Sequence, residues 1–451
     1  MKTGRKKIKE TKNDAVSKVG EFSYISMIQQ YHIKQPFFYD RAKMWWLWDD
    51  KVGYWVIKDI VDILNNLYKF TGGWIDLTEP KIKQSVINAL QMVGRMNEPL
   101  PFNKRWVQFE KTIFDLETKK TFVTTPKYMN ANPIPWKLTE TDATPCMDKI
   151  FEEWVGKEKS KILYEIIAYC CLSDYPLHNI FCLFGGGSNG KSQYQRILHK
   201  FVGHNNVCSS DLDLLSSNRF EVSKLYKKLV CTLGETNFGL MKNSGTLKKL
   251  CGQDEVSFEF KGKNAIDDIN YATIIINSNS LPTTVDQSKG FFRRWMIVPF
   301  EKEFQQGPDP LLRIPDEEYN NLCRKITKIL PVILKRGNVY GLGSVEDRKR
   351  AYILASNPLP FWLKEYCLFG SNLCDTSRDL YSSYCSYLKD TKKRKVSRKE
   401  FKLAMEDEGF FVEKTTRSIN GELKNGWIYE GLTIKLDKKS DKSDLYDSDF
   451  N

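Results

Sequence analysis

The chain has 451 residues, which is too long for one ordinary domain and predicts two to four domains. Hydrophobic residues make up 41% and charged residues 28%, and no apolar run approaches the roughly 20 residues of a membrane helix, so we expect no membrane partner. The formal net charge of +13 favours a polyanionic partner. The eleven cysteines lack C-x-x-C spacing, which predicts reduced thiols in a cytoplasmic protein rather than disulfides or a zinc site.

The first third of the chain divides into three segments by composition. Residues 1–20 are rich in lysine and are expected to form a flexible basic tail. Residues 21–97 are rich in aromatic side chains, with a hairpin predicted across 49–53 and two helices after it. Core packing is favoured over base stacking for their tryptophans. Residues 98–178 are expected to be a mixed region of short strands followed by a helical pair.

The rest of the chain is predicted to hold an ATPase-like core and a smaller unit. Strand-like and helical stretches alternate over 179–356, which predicts an α/β fold with a largely parallel central sheet and helices towards its end. Residues 357–437 are interpreted as a winged helix, and residues 438–451 as a disordered acidic tail.

A glycine-rich loop carries the first functional signal. The apolar stretch 180–184 runs into Gly185-Gly186-Gly187-Ser188-Asn189-Gly190-Lys191-Ser192, which fits G-x-x-x-x-G-K-[ST], and an amphipathic helix follows. Glycines let backbone N–H groups surround a phosphate, and the helix N-terminus favours negative charge. We therefore predict that this loop binds ATP, with Lys191 on the β- and γ-phosphates and Ser192 on Mg²⁺. A glycine-rich turn without a ligand is the alternative.

A second strand is expected to end in an acidic residue near the γ-phosphate. Glu235 follows such an apolar stretch and is placed to orient or deprotonate the attacking water. The usual aspartate before it is absent, because Gly234 stands there. Either Glu235 also serves the metal, or Mg²⁺ is held by Ser192, phosphates and waters; an ordinary exposed glutamate is the third possibility.

A third strand and a pair of arginines complete the predicted site. Asn279, or less favourably Asn277, is expected to contact the γ-phosphate and the water through its amide, although a turn-forming asparagine is the simpler interpretation. Arg293 and Arg294 precede another apolar strand. In a ring, one of them can reach the neighbour's nucleotide as an arginine finger, and Arg294 is preferred.

These elements, in this order, resemble the superfamily 3 helicases, in particular the poxvirus- and phage/plasmid-type primase-helicases of viruses, satellite phages and mobile genetic islands. The shared motifs are the loop 185–192, a Lys-x-Leu-x-Gly-x-Asp element at 248–254, Asn-x-Leu-Pro at 279–282 and Arg-Arg-Trp-x-Ile-x-Pro-Phe at 293–300. The resemblance covers about residues 98–437, and Gly234 departs from it.

The resemblance implies an AAA+-like core, a hexameric ring and 3′ to 5′ travel along single-stranded DNA in the cytoplasm of a host cell. It also implies a DNA-gripping hairpin between Val256 and Lys263. There Lys261 and Lys263 form a basic turn that can contact phosphates whatever the sequence. A solvated basic turn is the alternative.

The C-terminal unit carries a second basic cluster. Ser397 and Glu400 form a capping-box pattern that predicts a helix start, and Arg394, Lys395, Arg398 and Lys399 lie around it. Asn420-Gly421 and Asn425-Gly426 are turn signals for a wing. Recognition of a duplex replication origin is the favoured role, and docking of another protein is the alternative.

Together these features predict an ATP-dependent DNA helicase that uses Mg²⁺ and initiates replication of a virus, satellite phage or mobile element. A DNA-binding initiator or remodeller that uses ATP only as an assembly switch is the alternative. A packaging motor or a motor acting on RNA is a third possibility.

Overall fold

The computed structural model describes residues 23–186, 188–234, 240–241, 243–279, 281–305, 307–356, 358–390, 395–419 and 422–435. The chain divides into two compact units. One lies within Met1–Trp48 and Val56–Pro99, and the other within Asp49–Trp55 and Leu100–Asn451. The predicted tails 1–20 and 438–451 fall outside the described residues.

The aromatic-rich N-terminal segment folds as three helices and a small sheet. Its elements are α1 (Tyr24–Lys34), β1 (Phe37–Tyr39), β2 (Trp45–Asp49), β3 (Tyr54–Lys58), α2 (Ile60–Phe70) and α3 (Pro80–Met96). The strands form an antiparallel β1–β2 pair with β3 beside β2, which confirms the predicted hairpin. Trp45, Trp46 and Trp48 are buried, as predicted, whereas Trp74 is 60% exposed.

The second unit begins with an antiparallel sheet and a helical pair, as the sequence predicts. The elements are β4 (Trp106–Phe109), β5 (Thr112–Asp115), β6 (Thr121–Val123), α4 (Pro145–Val155) and α5 (Lys157–Tyr169). Gly156 ends α4 with a φ of +82°, a conformation that glycine adopts without strain. Helix α5 is buried along most of its length.

A five-stranded parallel sheet forms the centre of this unit, in the order β15-β7-β13-β9-β8. Strands β7, β13, β9 and β15 are mainly apolar and mostly buried, as expected of a parallel sheet covered by helices, whereas the edge strand β8 (Val-Cys-Ser-Ser) is largely accessible. The expected α/β fold is therefore confirmed. The elements of this region are β7 (Ile180–Phe184), α6 (Lys191–Val202), β8 (Val207–Ser210), α7 (Leu212–Ser217), α8 (Arg219–Val222), β9 (Val230–Leu233), β10 (Leu240–Met241), α9 (Gly245–Leu250), β11 (Glu255–Phe258), β12 (Ile266–Ile269), β13 (Thr273–Ser278), β14 (Thr283–Thr284), α10 (Lys289–Phe292), β15 (Trp295–Pro299), α11 (Asp316–Arg336) and α12 (Val345–Ser356).

The hairpin predicted near residue 260 is present. Strands β11 and β12 pair antiparallel, with Phe258 opposite Ile266. Lys261 and Lys263 lie in the connection between them, and both are exposed. Gly262 between them has a φ of +72°, so a residue with a side chain would be strained at this tip.

The C-terminal segment has its own core and sheet. Its elements are α13 (Leu359–Tyr366), β16 (Cys367–Thr376), α14 (Ser377–Asp390), α15 (Arg398–Asp407), β17 (Val412–Ile419) and β18 (Glu422–Ile434). The antiparallel sheet has the order β16-β18-β17, and strand β16 was not predicted. The predicted capping box at Ser397 and Glu400 is confirmed, because each residue's side chain accepts the other's backbone N–H.

One turn prediction in this segment is wrong. Asn425 and Gly426 lie inside β18, where they pair with Thr416 and Thr415 of β17. The ladder instead continues to Ile419 and Glu422. The other predicted turn, Asn420-Gly421, lies outside the described residues. The long cross-strand ladder overrides the local turn signal of the Asn-Gly pair.

No helix in the described part of the chain is long and apolar enough to cross a membrane. The eleven cysteines are free thiols. Several are fully buried, and burial raises the pKa of the Cys182 thiol to about 12.

Candidate nucleotide-binding site

The glycine-rich loop joins the middle of the parallel sheet to a helix. Strand β7 ends at Phe184, and helix α6 begins at Lys191. A Cβ on Gly185 would lie 2.3 Å from the Phe300 carbonyl oxygen, and one on Gly190 would lie 2.8 Å from the Trp154 Nε1. Gly190 also has a φ of +94°. Glycine is thus required at both ends of the loop, where backbone passes close to neighbouring groups.

Lys191 lies at the centre of the loop and is 7% exposed. Its Nζ donates to the carbonyl oxygens of Gly185 at 2.8 Å and Gly186 at 2.6 Å, and to Asn189 Oδ1 at 3.1 Å. Asn189 in turn donates from Nδ2 to the Phe300 carbonyl at 3.0 Å, which ties the loop to the end of β15. The ammonium group is therefore held inside the loop and within reach of an anion that enters it.

Two asparagines at the end of β13 lie beside the loop and the helix that follows it. Asn279 Oδ1 accepts from Lys191 Nζ at 3.1 Å, so the structure brings together two residues that the sequence assigned to one site. Asn277 donates from Nδ2 to Gln195 Oε1 on α6. Its Oδ1 is buried and has no hydrogen-bond partner among the described residues. A buried acceptor without a partner costs stability and suits a site that takes up water or a ligand.

Two cavities adjoin at the loop. The first, called the polar cavity, has a volume of about 430 Å³ and is lined by polar side chains and glycines that include Lys191, Ser192, Gly234, Asn277 and Asn279. The second has a volume of about 490 Å³ and is mostly apolar. Both are lined by Gly186 and Asn279. The residues lining the second cavity are Phe184, Gly185, Gly186, Asn279, Ile297, Pro299, Glu303, Ala351, Leu354, Ala355, Phe361, Tyr387 and Asp390.

The remaining predicted site residues are placed as follows. Ser188 and Ser192 are exposed at the loop and at the start of α6. Gly234 follows β9 and lines the polar cavity. Gly187 and Glu235 lie outside the described residues, so the assigned role of Glu235 remains a prediction.

The two arginines before β15 differ sharply in environment. Arg294 is 8% exposed, and its guanidinium donates to the carbonyl oxygens of Gly290 and Lys248 within its own chain. Arg293 is exposed. The structure favours Arg293, since Arg294 is engaged inside its own fold, and the identity of the arginine that reaches a neighbouring chain stays a prediction. Of the pair, Arg293 is the one that a second chain can contact.

This difference predicts that the two arginines contribute unequally to stability. Arg294→Ala removes charge-assisted bonds to buried carbonyls and is expected to lower the free energy of unfolding by about 2 kcal/mol. Arg293→Ala is expected to change it by less than about 0.5 kcal/mol, as exposed substitutions usually do. Denaturant unfolding followed by tryptophan fluorescence measures both. Equal destabilisation by the two variants would contradict the assignment.

The candidate DNA-binding residues are on the surface in two places. Lys261 and Lys263 are at the β11–β12 tip, and Lys395, Arg398 and Lys399 are exposed around the N-terminus of α15. The Arg398 guanidinium lies over the Tyr381 ring, 5.6 Å from its centroid. Arg394 lies outside the described residues.

Sequence reasoning missed several residues around the loop. Gln195 and Asp211 line a third cavity that borders the polar one. Phe361 and Tyr387, which lie far along the chain from the loop, line the apolar cavity. For Asp211 a signal was available, because it follows a short strand directly. Nothing in the sequence marks Phe361 or Tyr387, since only the tertiary fold brings α13 and α14 to the loop.

Comparisons with known proteins give one family match and distant structural matches. Residues 183–294, about a quarter of the chain, match the model of DUF5906, a family of unknown function. The apo structure of the NrS-1 C-terminal region (its residues 305–718) matches with a TM-score of 0.49 and 13% identity, over 91% of this chain and 100% of that one. An A-form apo structure of the same region matches with a TM-score of 0.48 and 12% identity, over the same shares. Matches this distant say nothing about the activity of this chain.

Proposed function

We propose that this chain is an ATP-hydrolysing motor of the P-loop class, with an AAA+-like core, and that it unwinds DNA as a ring-forming, 3′ to 5′ helicase of the superfamily 3 type. One observation carries the proposal. Lys191 and Asn279 meet at the loop 185–192, where a polar cavity adjoins an apolar one. A nucleoside triphosphate has the same division into a charged chain and a flat, weakly polar base.

The apolar cavity supports binding of the base. Ala351, Leu354 and Phe361 supply apolar surface, and Tyr387 adds an aromatic ring. Burial raises the pKa of Tyr387 to about 12, so its hydroxyl stays neutral at physiological pH. The Asp390 carboxylate lines the same cavity and is an acceptor suited to an exocyclic amine. This lining favours adenine.

The residues at the polar cavity also fit Mg²⁺. Magnesium takes oxygen ligands and is usually held by one or two protein groups together with phosphates and waters. The Ser192 hydroxyl can supply such an oxygen directly, and the buried Asn277 Oδ1 can accept from a water of the ion. When bound, the ion would neutralise charge on the transferred phosphate. Lys191 would hold the β- and γ-phosphates, and Glu235 and Asn279 would orient the attacking water.

The proposed ring places a second chain at each site. Arg293 is exposed beside β15 and is available to a neighbouring protomer's triphosphate. Hydrolysis would then depend on assembly, because a finger supplied in trans stabilises charge only in the transition state. We propose a hexamer that acts in the cytoplasm of a bacterial, archaeal or infected host cell.

Single-stranded DNA would be gripped by the β11–β12 hairpin. We expect Lys261→Ala combined with Lys263→Ala to weaken binding of an oligothymidylate and to reduce the dependence of log affinity on log salt by about 0.7 for each phosphate that these lysines neutralise. Basal ATPase activity should persist. The matched control is Lys137→Ala with Lys335→Ala, which removes two exposed lysines from other surfaces. If the salt dependence of the hairpin variant is unchanged, these two lysines do not contact the phosphates of single-stranded DNA.

The C-terminal segment would recognise duplex DNA. Its order of helix, strand, two helices and two strands supports the winged-helix interpretation, in which the third helix would enter the major groove. Here that helix is α15, with Lys395, Arg398 and Lys399 exposed at its start. These cations can contact phosphates and orient the helix on an origin.

A forked duplex tests the proposal against its main alternative. Gly234 brings no carboxylate to the site, and this favours a slow ATPase that serves as an assembly switch for an initiator. The helicase predicts ATP-dependent displacement on forks with a free 3′ loading arm and none on forks with only a 5′ arm. ATP-dependent assembly without displacement would support the switch. Failure to bind or hydrolyse ATP would overturn both.

A further inference from the structure

Among the described residues, the side chain nearest to a Cβ added at Gly234 is that of Asp211. Gly234 follows β9 and lines the polar cavity together with Ser192 and Asn277. If a Cβ were built on Gly234, the one atom of the described residues within 4 Å, apart from its chain neighbours, would be Oδ1 of Asp211 at 3.9 Å. A carboxylate is therefore present near this position although residue 234 does not carry one.

The strand register explains this arrangement. Strands β8 and β9 are parallel, and Ser210 pairs with Leu233. Asp211 and Gly234 are the next residues on each strand, so they lie side by side at the carboxyl edge of the sheet. The cavity lined by Asp211 has a volume of about 330 Å³ and shares Gln195 and Gly234 with the polar cavity. The two cavities therefore adjoin at Gly234 and Gln195.

Among the described residues the Asp211 carboxylate makes no side-chain hydrogen bond, although its charge lies near Lys224 and, after the hydrogen bond to Glu221, helps to raise the pKa of that lysine. Asp211 stands at the N-cap of α7 but makes no capping hydrogen bond. Nearby, Lys224 is paired with Glu221, whose carboxylate also accepts from Ser210 Oγ at 2.8 Å. The Glu221 carboxylate is therefore occupied, whereas that of Asp211 is exposed and open to a ligand.

Asn277 gives an independent indication that this edge takes a ligand. Its Oδ1 is buried without a partner among the described residues, while its Nδ2 is bound to Gln195. Asn277 lines the polar cavity, and Gln195, to which it is bound, lines both cavities. No group of three or more His, Cys, Asp or Glu that could hold a metal occurs in the described residues. An ion here would therefore depend on phosphates, waters and single side chains, which is how Mg²⁺ is usually held.

We propose that Asp211 supplies, from strand β8, the carboxylate that position 234 lacks, and that it binds a water of the nucleotide-bound Mg²⁺. This inference rests on the proposed nucleotide site. The room left at Gly234 allows the carboxylate to act from the neighbouring strand, and Asn277 Oδ1 accepts from another water of the same ion. Asp211 is a positioning residue for the ion and does not touch the reacting phosphate.

Asp211→Asn tests this through the magnesium dependence of binding. A fluorescent ATP analogue is titrated in EDTA and then over a range of Mg²⁺ concentrations. In EDTA the variant should bind as well as the wild type, because the loop and Lys191 are intact. The Mg²⁺ concentration that gives half of the maximal effect on nucleotide binding should rise about tenfold, since the variant lacks the charged carboxylate that accepts from a water of the ion. Asp213→Asn, which changes an exposed carboxylate two residues away, should leave it unchanged.

Moving the carboxylate provides a second test. Adding Gly234→Asp to Asp211→Asn should restore the wild-type Mg²⁺ dependence, because an aspartate at 234 has room and reaches the same cavity. Mn²⁺ binding followed by electron paramagnetic resonance should show the same loss and recovery. An unchanged Mg²⁺ dependence in Asp211→Asn, or no recovery in the double variant, overturns this inference while leaving the nucleotide site in place. If the wild type binds no nucleotide in EDTA or in Mg²⁺, the proposed function fails, and this inference fails with it.

Discussion

Lys191→Ala is expected to weaken ATP binding about 100-fold, or about 2.7 kcal/mol, and to abolish measurable hydrolysis. The lysine's Nζ is held within the loop by two backbone carbonyls and two asparagine oxygens, so its charge is already positioned for a phosphate chain. Alanine leaves those oxygens facing a cavity that water can enter, and the fold should survive. Equilibrium titration with a fluorescent ATP analogue measures the effect, with circular dichroism as the check on folding.

Arg196→Ala is the matched control for this prediction. Arg196 lies on the same helix, but it is exposed and pairs with Asp309 at 2.8 Å away from the loop. Its removal takes away one positive charge and should change ATP affinity less than twofold. If Arg196→Ala weakens binding as much as Lys191→Ala does, the effect is one of general charge and not of the loop.

Arg293→Ala should reduce ATP turnover about 1,000-fold or more while leaving nucleotide affinity and assembly nearly unchanged. Arginine fingers supplied in trans contribute about 10³- to 10⁵-fold in rate, because they act on the charge of the transition state. The residue is exposed and makes little contribution to its own fold. Steady-state ATPase assays with sedimentation analysis measure both effects, and Arg350→Ala, another exposed arginine, is the control.

Mixing two inactive variants tests whether Arg293 acts between chains. Arg293→Ala subunits keep an intact loop, and Lys191→Ala subunits keep an intact arginine. Mixed rings should therefore contain some complete sites and regain part of the wild-type activity. If the mixture stays as inactive as its components, Arg293 does not work in trans.

The elements with strong local patterns could be predicted from the sequence. The buried strand 180–184, the glycine-rich loop and the following helix are contiguous in the chain, and their geometry follows from local physics. The capping box at Ser397 and the hairpin around Gly262 are local in the same way. Asn279 could be assigned to the site because it follows a strand, and parallel strands bring their carboxyl ends to one edge.

Features that depend on contacts distant in the chain were not predictable. The burial of Arg294 follows from a bond to the Lys248 carbonyl, 46 residues away, and no local pattern indicates that pairing. Asp211 and Gly234 are neighbours because β8 lies beside β9 in the sheet, and the pattern of a single strand does not predict which strand it pairs with. The turn predicted at Asn425-Gly426 was wrong because a 13-residue strand with a long ladder outweighs local turn chemistry.

Hydrogen–deuterium exchange of the peptides that span residues 185–192, with and without ATP, tests the central claim most directly. If a triphosphate is bound by the amides of this loop, their exchange should slow when ATP is added in EDTA, and this protection should disappear in Lys191→Ala. Unchanged exchange at the loop under conditions where ATP is bound elsewhere, or is not bound at all, would contradict the account.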